Sequence, residues 1–415
     1  MKQSAAFCEE LYNLAKTRNG ENIKIELNGV SVLVIQRYED ADYILRTHAK
    51  NYRKNMGWFR QVMGYSRFSE EGDAWRIRRD LSQAYFSKFD RENSFQLSAQ
   101  YAENAMSSLI TASCNGSLTL DETVLREMTA GVLVHNFFDV PIAELNIDLS
   151  ALTELMEYGS EYSFVPEGRT NDMYRKRLAT LPEIRRRVLD SLKVFRSEQM
   201  PASQLLNSLL EADKNLGVIL EHELIGFLAA GTEASAATVS WMCHLLATHP
   251  DKQKSLRKDA MAFWLGNDHS WKALSKVKSL AYFVSEALRL YPTTPIIARL
   301  AENSDKIGNF DIDKDQNILI SFIGIQHDQR FRNDPWKIQE EEADILAIGS
   351  GINTAFSIGT RVCGGKHFAL LELITFLSVF LREGSFEMTS DEEPNFYWKT
   401  QLLRDGGQRV RVRHE

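Results

Sequence analysis

The sequence predicts a mainly α-helical fold with a small β part, built around one long central helix. Residues 217–249 run without proline, are apolar on most sides and stop at Pro250. A helix that is hydrophobic all round lies inside a large protein, and this one greatly exceeds the usual ~11–12 residues. Ile23–Leu27 alternates between apolar and polar residues, an Asn-Gly turn follows, and Val30–Ile35 returns, which indicates a β-hairpin.

The remaining elements follow in order along the chain, and we expect them to form one domain over residues 1–415. Its β-rich parts are predicted at approximately 20–50, 295–325 and 386–412. Helices are predicted at 39–47, 251–265, 275–290 and 366–381, and over most of 75–196 with breaks near Asn115-Gly116, Pro141, Pro166 to Gly168 and Pro182. Short strands are predicted at 309–321, an irregular acidic stretch at 330–344, and strands with turns at 386–412.

Composition excludes several classes of protein. The net charge of -7 argues against a nucleic-acid partner, which usually meets a basic surface. The four cysteines, Cys8, Cys114, Cys243 and Cys363, are scattered without a CxxC pair, so they indicate neither a zinc site nor a disulfide framework. They fit a reducing cytoplasm. No run approaches the ~20 apolar residues that span a bilayer, so we expect a cytoplasmic protein without a membrane anchor.

The most informative segment is the run FSIGTRVCGG at 356–365, which places Cys363 among glycines just before an apolar helix. Backbone N–H groups and the dipole at a helix N-terminus favour a thiolate. The glycines let a flat ligand approach the backbone, and Arg361 can pair with a carboxylate. A lone cysteine is more often a packing residue. This cysteine instead belongs to a pattern of phenylalanine, glycine, arginine, cysteine and glycine, at spacings of 3, 2, 2 and 2.

This segment resembles the haem-binding loop F-x-x-G-x-R-x-C-x-G of the cytochrome P450 family at every required position. The resemblance implies a haem b cofactor (iron protoporphyrin IX), held in a loop that includes Phe356, Arg361 and Gly365, with Cys363 as the axial iron ligand. A thiolate ligand favours cleavage of the O–O bond. The family often has glycine after the phenylalanine, where this chain has Ser357.

Glu286 and Arg289 lie three residues apart on one predicted helix face. Such a pair on a surface is common and contributes little, but its neighbours are apolar. The pattern resembles the family's structural E-x-x-R pair. The family's third partner comes from a Pro-Glu-Arg-Phe-like segment, and Trp336-Lys337-Ile338-Gln339-Glu340 stands in its place, so the sequence leaves that partner open.

Trp75, Arg79 and Arg299 match family positions that contact the haem propionates. Trp75 and Arg79 lie four residues apart on one predicted helix, and Arg299 follows Pro295-Ile296-Ile297. The guanidinium fork of arginine suits a carboxylate. Taken singly, each arginine would be assigned to the solvated surface.

The run AGTEAS at 230–235, in the middle of the long helix, resembles the family's oxygen-binding groove A-G-x-[DE]-T-[TS]. Gly231 costs the helix about 1 kcal/mol relative to alanine, which indicates either helix packing or the close approach of a ligand such as dioxygen. Ala234 replaces the family's threonine. Without that threonine, protons could come from Ser235, Glu233 or ordered water, or from a substrate hydroxyl. Alternatively, the reaction could depend less on proton delivery at this position.

The resemblance implies a mostly apolar substrate pocket. Ordinary core packing is the alternative for each of its residues. The expected lining comprises the loop Lys54 to Phe68, Phe227, Ala230, Gly231, Ala234, Thr294, Ile296, Ile297 and Trp398.

The implied activity is a monooxygenase that uses O2, a small and largely apolar substrate, and electrons from a ferredoxin or flavodoxin with its reductase. We expect a monomer of the soluble bacterial type, with a role in secondary metabolism. Arg76, Arg78, Lys88 and Lys366 could form a basic docking patch, although scattered solvated charges explain them nearly as well. A coupling or cyclising enzyme, a peroxygenase, and a haem-binding sensor or carrier without turnover remain alternatives, because fold does not fix function.

Overall fold

Helices dominate the chain in a computed structural model that describes residues 3–27, 29–163, 172–339, 353–398 and 401–415. Among these residues no helix is long and apolar enough to cross a membrane. The helices are α1 Gln3–Arg18, α2 Tyr38–Asp42, α3 Gly57–Met63, α4 Gly72–Ser87, α5 Arg91–Cys114, α6 Glu122–Phe138, α7 Leu149–Ser163, α8 Asp172–Leu192, α9 Gln204–Asn215, α10 Leu220–Thr248, α11 Pro250–Trp264, α12 Trp271–Leu274, α13 Lys278–Leu290, α14 Phe322–Gln326 and α15 Lys366–Glu383.

A five-stranded sheet in the order β1-β2-β7-β4-β3 flanks the helices. Within it β2 runs parallel to β7, and the other neighbouring strands are antiparallel. Two-stranded sheets pair β5 with β6, β9 with β10, and β8 with β11. The strands are β1 Ile23–Leu27, β2 Val30–Ile35, β3 Tyr52–Arg53, β4 Ile296–Ala301, β5 Asp305–Ile307, β6 Phe310–Ile312, β7 Asn317–Ser321, β8 Gly384–Met388, β9 Phe396–Trp398, β10 Leu402–Arg404 and β11 Val410–His414.

The long central helix is α10, and most of its side chains are buried. Glu221 and Glu223 lie in its first turn, where carboxylates interact favourably with the helix dipole. The helix ends at Thr248 because Pro250, which begins α11, disfavours helical backbone at the residue before it. Trp241 is completely buried and donates its indole N–H to the carbonyl of Leu402, 2.8 Å away. These contacts confirm the predicted buried central helix.

The segment before α15 is fixed to two other helices by side-chain amides. Asn353 donates to the hydroxyl of Ser285 in α13, 3.0 Å away, and the Thr354 N–H donates to the side-chain oxygen of Gln326 in α14, 3.1 Å away. The helix α15 is itself buried over most of its length. The cysteine segment is therefore held between rigid elements.

The predicted elements are found close to their expected positions, with a few differences. A helix, α3, occupies part of the expected loop Lys54 to Phe68, and a π-helical turn at Tyr43–Thr47 completes the helix expected at 39–47. Residues 330–339 are irregular, as expected. The expected break at 166–168, residue 28 of the Asn-Gly turn, and the rest of the acidic stretch lie outside the described residues.

Candidate haem-binding site

Cys363 lies three residues before the first residue of α15, with Gly365 as the N-cap. Its own N–H donates to the carbonyl of Phe356, 2.9 Å away, which closes the loop. The backbone N–H groups of Gly365 and Lys366 point to its sulfur. Since the side chain is also exposed, the sulfur is oriented by the helix N-terminus and open to a ligand.

The pKa of the Cys363 thiol is raised, chiefly because many protein atoms crowd the sulfur even though its surface is exposed. The N–H groups of Gly365 and Lys366 and the positive charge of Arg67 oppose that rise. Such donors stabilise a thiolate once a metal ion replaces the proton. This loop therefore suits a metal ligand.

Three cations converge on one carboxylate beside the cysteine loop. Arg361 donates to Glu71 Oε2 at 2.7 Å, and its guanidinium lies 3.9 Å from the ring centre of Trp75. The backbone N–H of Lys54 donates to Glu71 Oε1 at 2.9 Å, while its ammonium group, which senses the Glu71 charge, donates to the carbonyl of Phe68 at 2.7 Å. Arg299 is buried, and burial, with Arg361 nearby, lowers its pKa to about 10 although Glu71 opposes the shift.

The charges in this cluster fit a group that carries two carboxylates. Burial and the positive charges of Arg299 and Arg361 lower the pKa of Lys54 to about 7, although Glu71 raises it. The Nη1 atom of Arg361 is buried and has no partner among the described residues. One carboxylate cannot balance three cations, and two propionates would.

Arg79, the other expected propionate contact, lies apart from these ion pairs. Its Nη1 lies 3.2 Å from Asp80 Oδ1, and its guanidinium is 5.7 Å from the ring centre of Trp75. Trp75 therefore contacts both Arg361 and Arg79. The structure brings Trp75, Arg299 and Arg361 together and leaves Arg79 at the edge of the cluster.

The exposed face of α10 is centred on Ala230, with Gly231 and Ala234 half-buried beside it. A side chain at Gly231 would collide with Leu133 of α6. The glycine therefore permits helix packing, one of the two interpretations that the sequence left open at this position. Ala230 and Ala234 still leave a face free of large side chains.

Glu233, beside that face on α10, is held by partners on other helices. Its two carboxylate oxygens accept from Arg126 Nε at 3.1 Å and from Thr153 Oγ1 at 2.9 Å. Those partners belong to α6 and α7. Glu233 is therefore an ion-pair residue in this conformation and is not poised to deliver protons.

Ser235 instead makes a buried contact with α15. Its hydroxyl donates to Glu372 Oε1, and both side chains are buried. The other oxygen, Oε2, has no partner among the described residues. Burial raises the pKa of Glu372 to about 8, so this carboxyl group carries a proton at neutral pH.

The Glu286–Arg289 pair is completely buried, with Arg289 Nε and Glu286 Oε1 2.7 Å apart. Backbone groups of the irregular segment supply the third partner that the sequence left open. Arg289 donates to the carbonyls of Pro335 and Lys337, the second at 2.9 Å, and the Gln339 N–H donates to Glu286 Oε2 at 2.9 Å. The pair fastens this segment to α13.

The expected pocket residues divide into core and partly accessible positions. Ile296 is buried in a cluster that also contains Trp241 and Ile323, because alternate residues of β4 face opposite sides of the sheet, and its assignment to the pocket stays a prediction. Phe227 contacts Phe86, with ring centres 5.5 Å apart, and belongs to an aromatic cluster. The half-buried members are Thr294, Ile297 and Trp398.

The expected basic docking patch loses one member. Arg78 is buried, and its Nε lies 2.9 Å from Glu223 Oε1. Arg76 is exposed but paired with Asp73 at 2.8 Å. Lys88 is exposed and Lys366 half-buried, so the remaining charges are spread out.

Sequence reasoning assigned no role to Glu71, Lys54 or Glu372. Glu71 has a weak signal, a carboxylate directly before the helix that carries Trp75. Glu372 had only its spacing from Cys363. Their partners lie on distant segments, so the sequence could not reveal these contacts.

A cysteine sulfur at a helix N-terminus, beside cations matched to two carboxylates, fits a thiolate-ligated haem site. The sequence model described as "Cytochrome P450" matches residues 3–408. The chain therefore belongs to the cytochrome P450 family, whose members bind haem iron.

Curated relatives share about 30% identity over half of the chain. Cytochrome P450 72A68 of Medicago truncatula is 30% identical over 216 residues, which cover 48% of this chain and 41% of that protein. Probable cytochrome P450 4e1 of Drosophila melanogaster is 30% identical over 221 residues, 51% of this chain and 41% of that protein. The carotene epsilon-monooxygenase of Arabidopsis thaliana chloroplasts is 29% identical over 182 residues, 42% of this chain and 34% of that protein.

The matched region spans about two-fifths or less of each of these relatives. They come from plants and an insect, and a putative cytochrome P450 of a nematode also matches. The similarity therefore gives no support to the expected soluble bacterial type, which stays a prediction.

Proposed function

We propose that this protein is a haem-thiolate monooxygenase that inserts one oxygen atom from O2 into a small, largely apolar organic substrate. The observation that carries the proposal is the Cys363 sulfur, which faces two backbone N–H groups beside a cation cluster suited to two carboxylates. Haem b, when bound, would supply the activation of dioxygen.

The residues of this chain would hold the haem and shape its surroundings. Cys363 would ligate the iron, and Lys54, Arg299 and Arg361 would bind the propionates. The stacking of Arg361 on Trp75 fixes its guanidinium plane. The small side chains of Ala230 and Ala234 would leave room for dioxygen and substrate.

The Ser235–Glu372 pair supports a proton path that replaces the missing threonine hydroxyl at 234. Glu372 holds a proton at neutral pH, and Ser235 Oγ can pass a proton outward and recover one from this carboxyl group. A substrate hydroxyl or ordered water would complete the path. In the Ser235→Ala variant we expect less product per electron consumed; unchanged coupling would contradict this path.

Electrons would come from a separate ferredoxin or flavodoxin with its reductase. Arg76, Lys88 and Lys366, the members of the expected patch that are not buried, support this docking only weakly. We also propose a cytoplasmic, monomeric protein. Titration with different purified carriers, followed by the rate of haem reduction, would identify the donor.

The carbon monoxide complex of the reduced protein tests the haem–thiolate assignment. We expect the red-shifted band of a thiolate-bound haem in the native protein. Cys114→Ser is a matched control at an exposed cysteine and should keep the band, whereas Cys363→Ser should lose it. A band that survives in Cys363→Ser would overturn the assignment.

Ala234 favours a second candidate, a peroxygenase or a coupling or cyclising enzyme, because neither depends on the hydroxyl that the family usually has there. Product formed with peroxide and no reductase would support the peroxygenase. Steady oxygen consumption that depends on reductant would instead exclude a haem carrier or sensor.

A further inference from the structure

Arg185 of α8 is a half-buried arginine whose charge has no carboxylate partner in the described part of the chain. Its Nε is buried without any partner there. Its two neighbours differ, because Arg186 pairs with Glu183 and Asp190, and Arg187 pairs with Asp148, all at 2.7–2.8 Å. Among the described side chains of this helix, the structure thus pairs the exposed Arg186 and Arg187 with carboxylates and leaves the more buried Arg185 without one.

Arg185 contacts His222, but this contact competes with the Tyr65 N–H for the single acceptor nitrogen of a neutral ring. Its Nη2 lies 3.2 Å from Nε2 of His222, while Nδ1 of that ring accepts from the Tyr65 N–H at 3.3 Å. Burial and the charge of Arg185 lower the pKa of His222, so the ring is neutral. A neutral imidazole has one acceptor nitrogen, and Tyr65 already uses it.

The groups around Arg185 and His222 leave an excess of positive charge. Arg78 pairs with Glu223, whose other oxygen accepts from the Arg67 N–H at 3.1 Å. Burial raises the pKa of Glu223 to about 7, so that carboxylate is only partly charged near neutral pH.

Arg196, which binds two carboxylates, and Arg67, which binds none, together leave this excess of positive charge unchanged. Glu221 faces His222 from the same turn, but Arg196 binds it at 2.8 Å and Asp213 at 2.9 Å. The guanidinium of Arg67 binds the hydroxyl of Ser82 at 2.8 Å, not a carboxylate. An anionic ligand would therefore be favoured beside Arg185.

The position of this charge relates it to the proposed oxidation site. His222 lies on α10 eight residues before Ala230, about 12 Å along the helix at 1.5 Å per residue. The two residues differ by about 80° around the axis, so they lie on neighbouring parts of one side. Gly226, between them, packs against Ser66, and a side chain there would collide with it.

We infer that the substrate carries a carboxylate that binds Arg185, on the side of α10 that also carries Ala230. The inference rests on the proposed function and names its substrate class. The carboxylate would accept from Nε and Nη2 of Arg185 and from the Nε2–H of His222.

Spectral titration of the haem-loaded protein tests this inference. The probes are straight-chain carboxylic acids from octanoic to hexadecanoic acid, each compared with the alcohol of the same length, and the signal is displacement of iron-bound water. We expect at least one acid to bind tenfold or more tightly than its alcohol. Arg185→Gln should remove that preference and leave alcohol binding unchanged, while Arg186→Gln, at the neighbouring exposed and paired arginine, should keep it.

The outcomes separate this inference from the function on which it rests. If the carbon monoxide band is present but no acid binds better than its alcohol, the carboxylate inference is overturned and the monooxygenase proposal stands. A preference that persists in Arg185→Gln would also overturn the inference. A missing thiolate band would remove the proposed function and this inference together.

Discussion

Gly359 shows how a single residue shapes the cysteine loop. Its φ of +76° lies in the left-handed region, and a Cβ at this position would collide with the carbonyl of Leu45 in the π-helical turn. Ser357, two residues earlier, also has a positive φ, +60°, without the freedom of glycine. The loop therefore depends on glycine at 359 for space as well as for conformation.

We expect Gly359→Ala to destabilise the protein more than Gly308→Ala does. Gly308 has a φ of +56° but open space around it, so alanine there should cost about 1–2 kcal/mol for the left-handed conformation. At 359 the backbone collision adds to that cost. The free energy of unfolding in urea measures both; equal losses would show that the Leu45 contact is unimportant.

Lys54 predicts a pH dependence of haem binding. Its pKa is about 7 without an added anion, chiefly because the amine is buried. Two carboxylates would raise that pKa, so near pH 8 haem binding should take up about one proton, and affinity should fall as pH rises above 7.

Calorimetric titrations in buffers of different ionisation enthalpy measure this proton uptake. Lys54→Met should abolish it, and Lys50→Met, at an exposed lysine nearby, should not. Uptake that is unchanged in Lys54→Met would assign the proton to another group.

At the scale of elements, the Glu286–Arg289 pair joins α13 to the irregular segment before the cysteine loop. Arg289→Met should destabilise the protein by about 3–5 kcal/mol, because it leaves a buried carboxylate unpaired. The double variant Glu286→Leu/Arg289→Met should cost less than this single variant. Urea unfolding tests the difference, and a double variant as unstable as the sum of both singles would contradict it.

The Ser235–Glu372 contact joins α10 to α15 and predicts a second pH effect. Burial raises the pKa of Glu372 from its ordinary 4.5 to about 8. Between these values the folded state binds more protons than the unfolded state, so this carboxyl group makes the free energy of unfolding fall as pH rises.

Glu372→Gln removes the titrating group, so its stability should depend less on pH from about 5 to about 8, by about 1.4 kcal/mol for each unit of pKa shift removed. Glu387→Gln, at an exposed carboxylate, is the control. Its free energy of unfolding should depend on pH as that of the native protein does. Urea unfolding across that pH range measures both slopes. If the free energy of unfolding of Glu372→Gln depended on pH as strongly as that of the native protein, Glu372 would be ionised in the folded protein.

At the scale of the whole molecule, the candidate site joins parts of the chain that fold into different hydrophobic clusters. The largest cluster contains most helices, including α15, while a second one holds the sheet with Leu45 and Ile358. The cysteine loop lies between them. Haem would contact both clusters, so its binding would stabilise their arrangement by mass action on the folded state.

The sequence by itself indicated the elements and predicted the metal ligand. Periodicity and proline placed α10 and its end, alternation placed the first hairpin, and the spacing around Cys363 identified the haem loop. These are local properties, because hydrophobic period, turn residues and helix starts depend on neighbours within a few positions.

The tertiary structure decided which side chains meet. It brought Lys54, Glu71 and Arg299 together from distant parts of the chain. It also paired Glu233 with Arg126 and placed Glu372 where it accepts a hydrogen bond from Ser235. It also showed that Gly231 packs on α6. The physical reason is that burial, charge balance and hydrogen bonding depend on atoms from distant segments, and their proximity exists only in the folded chain.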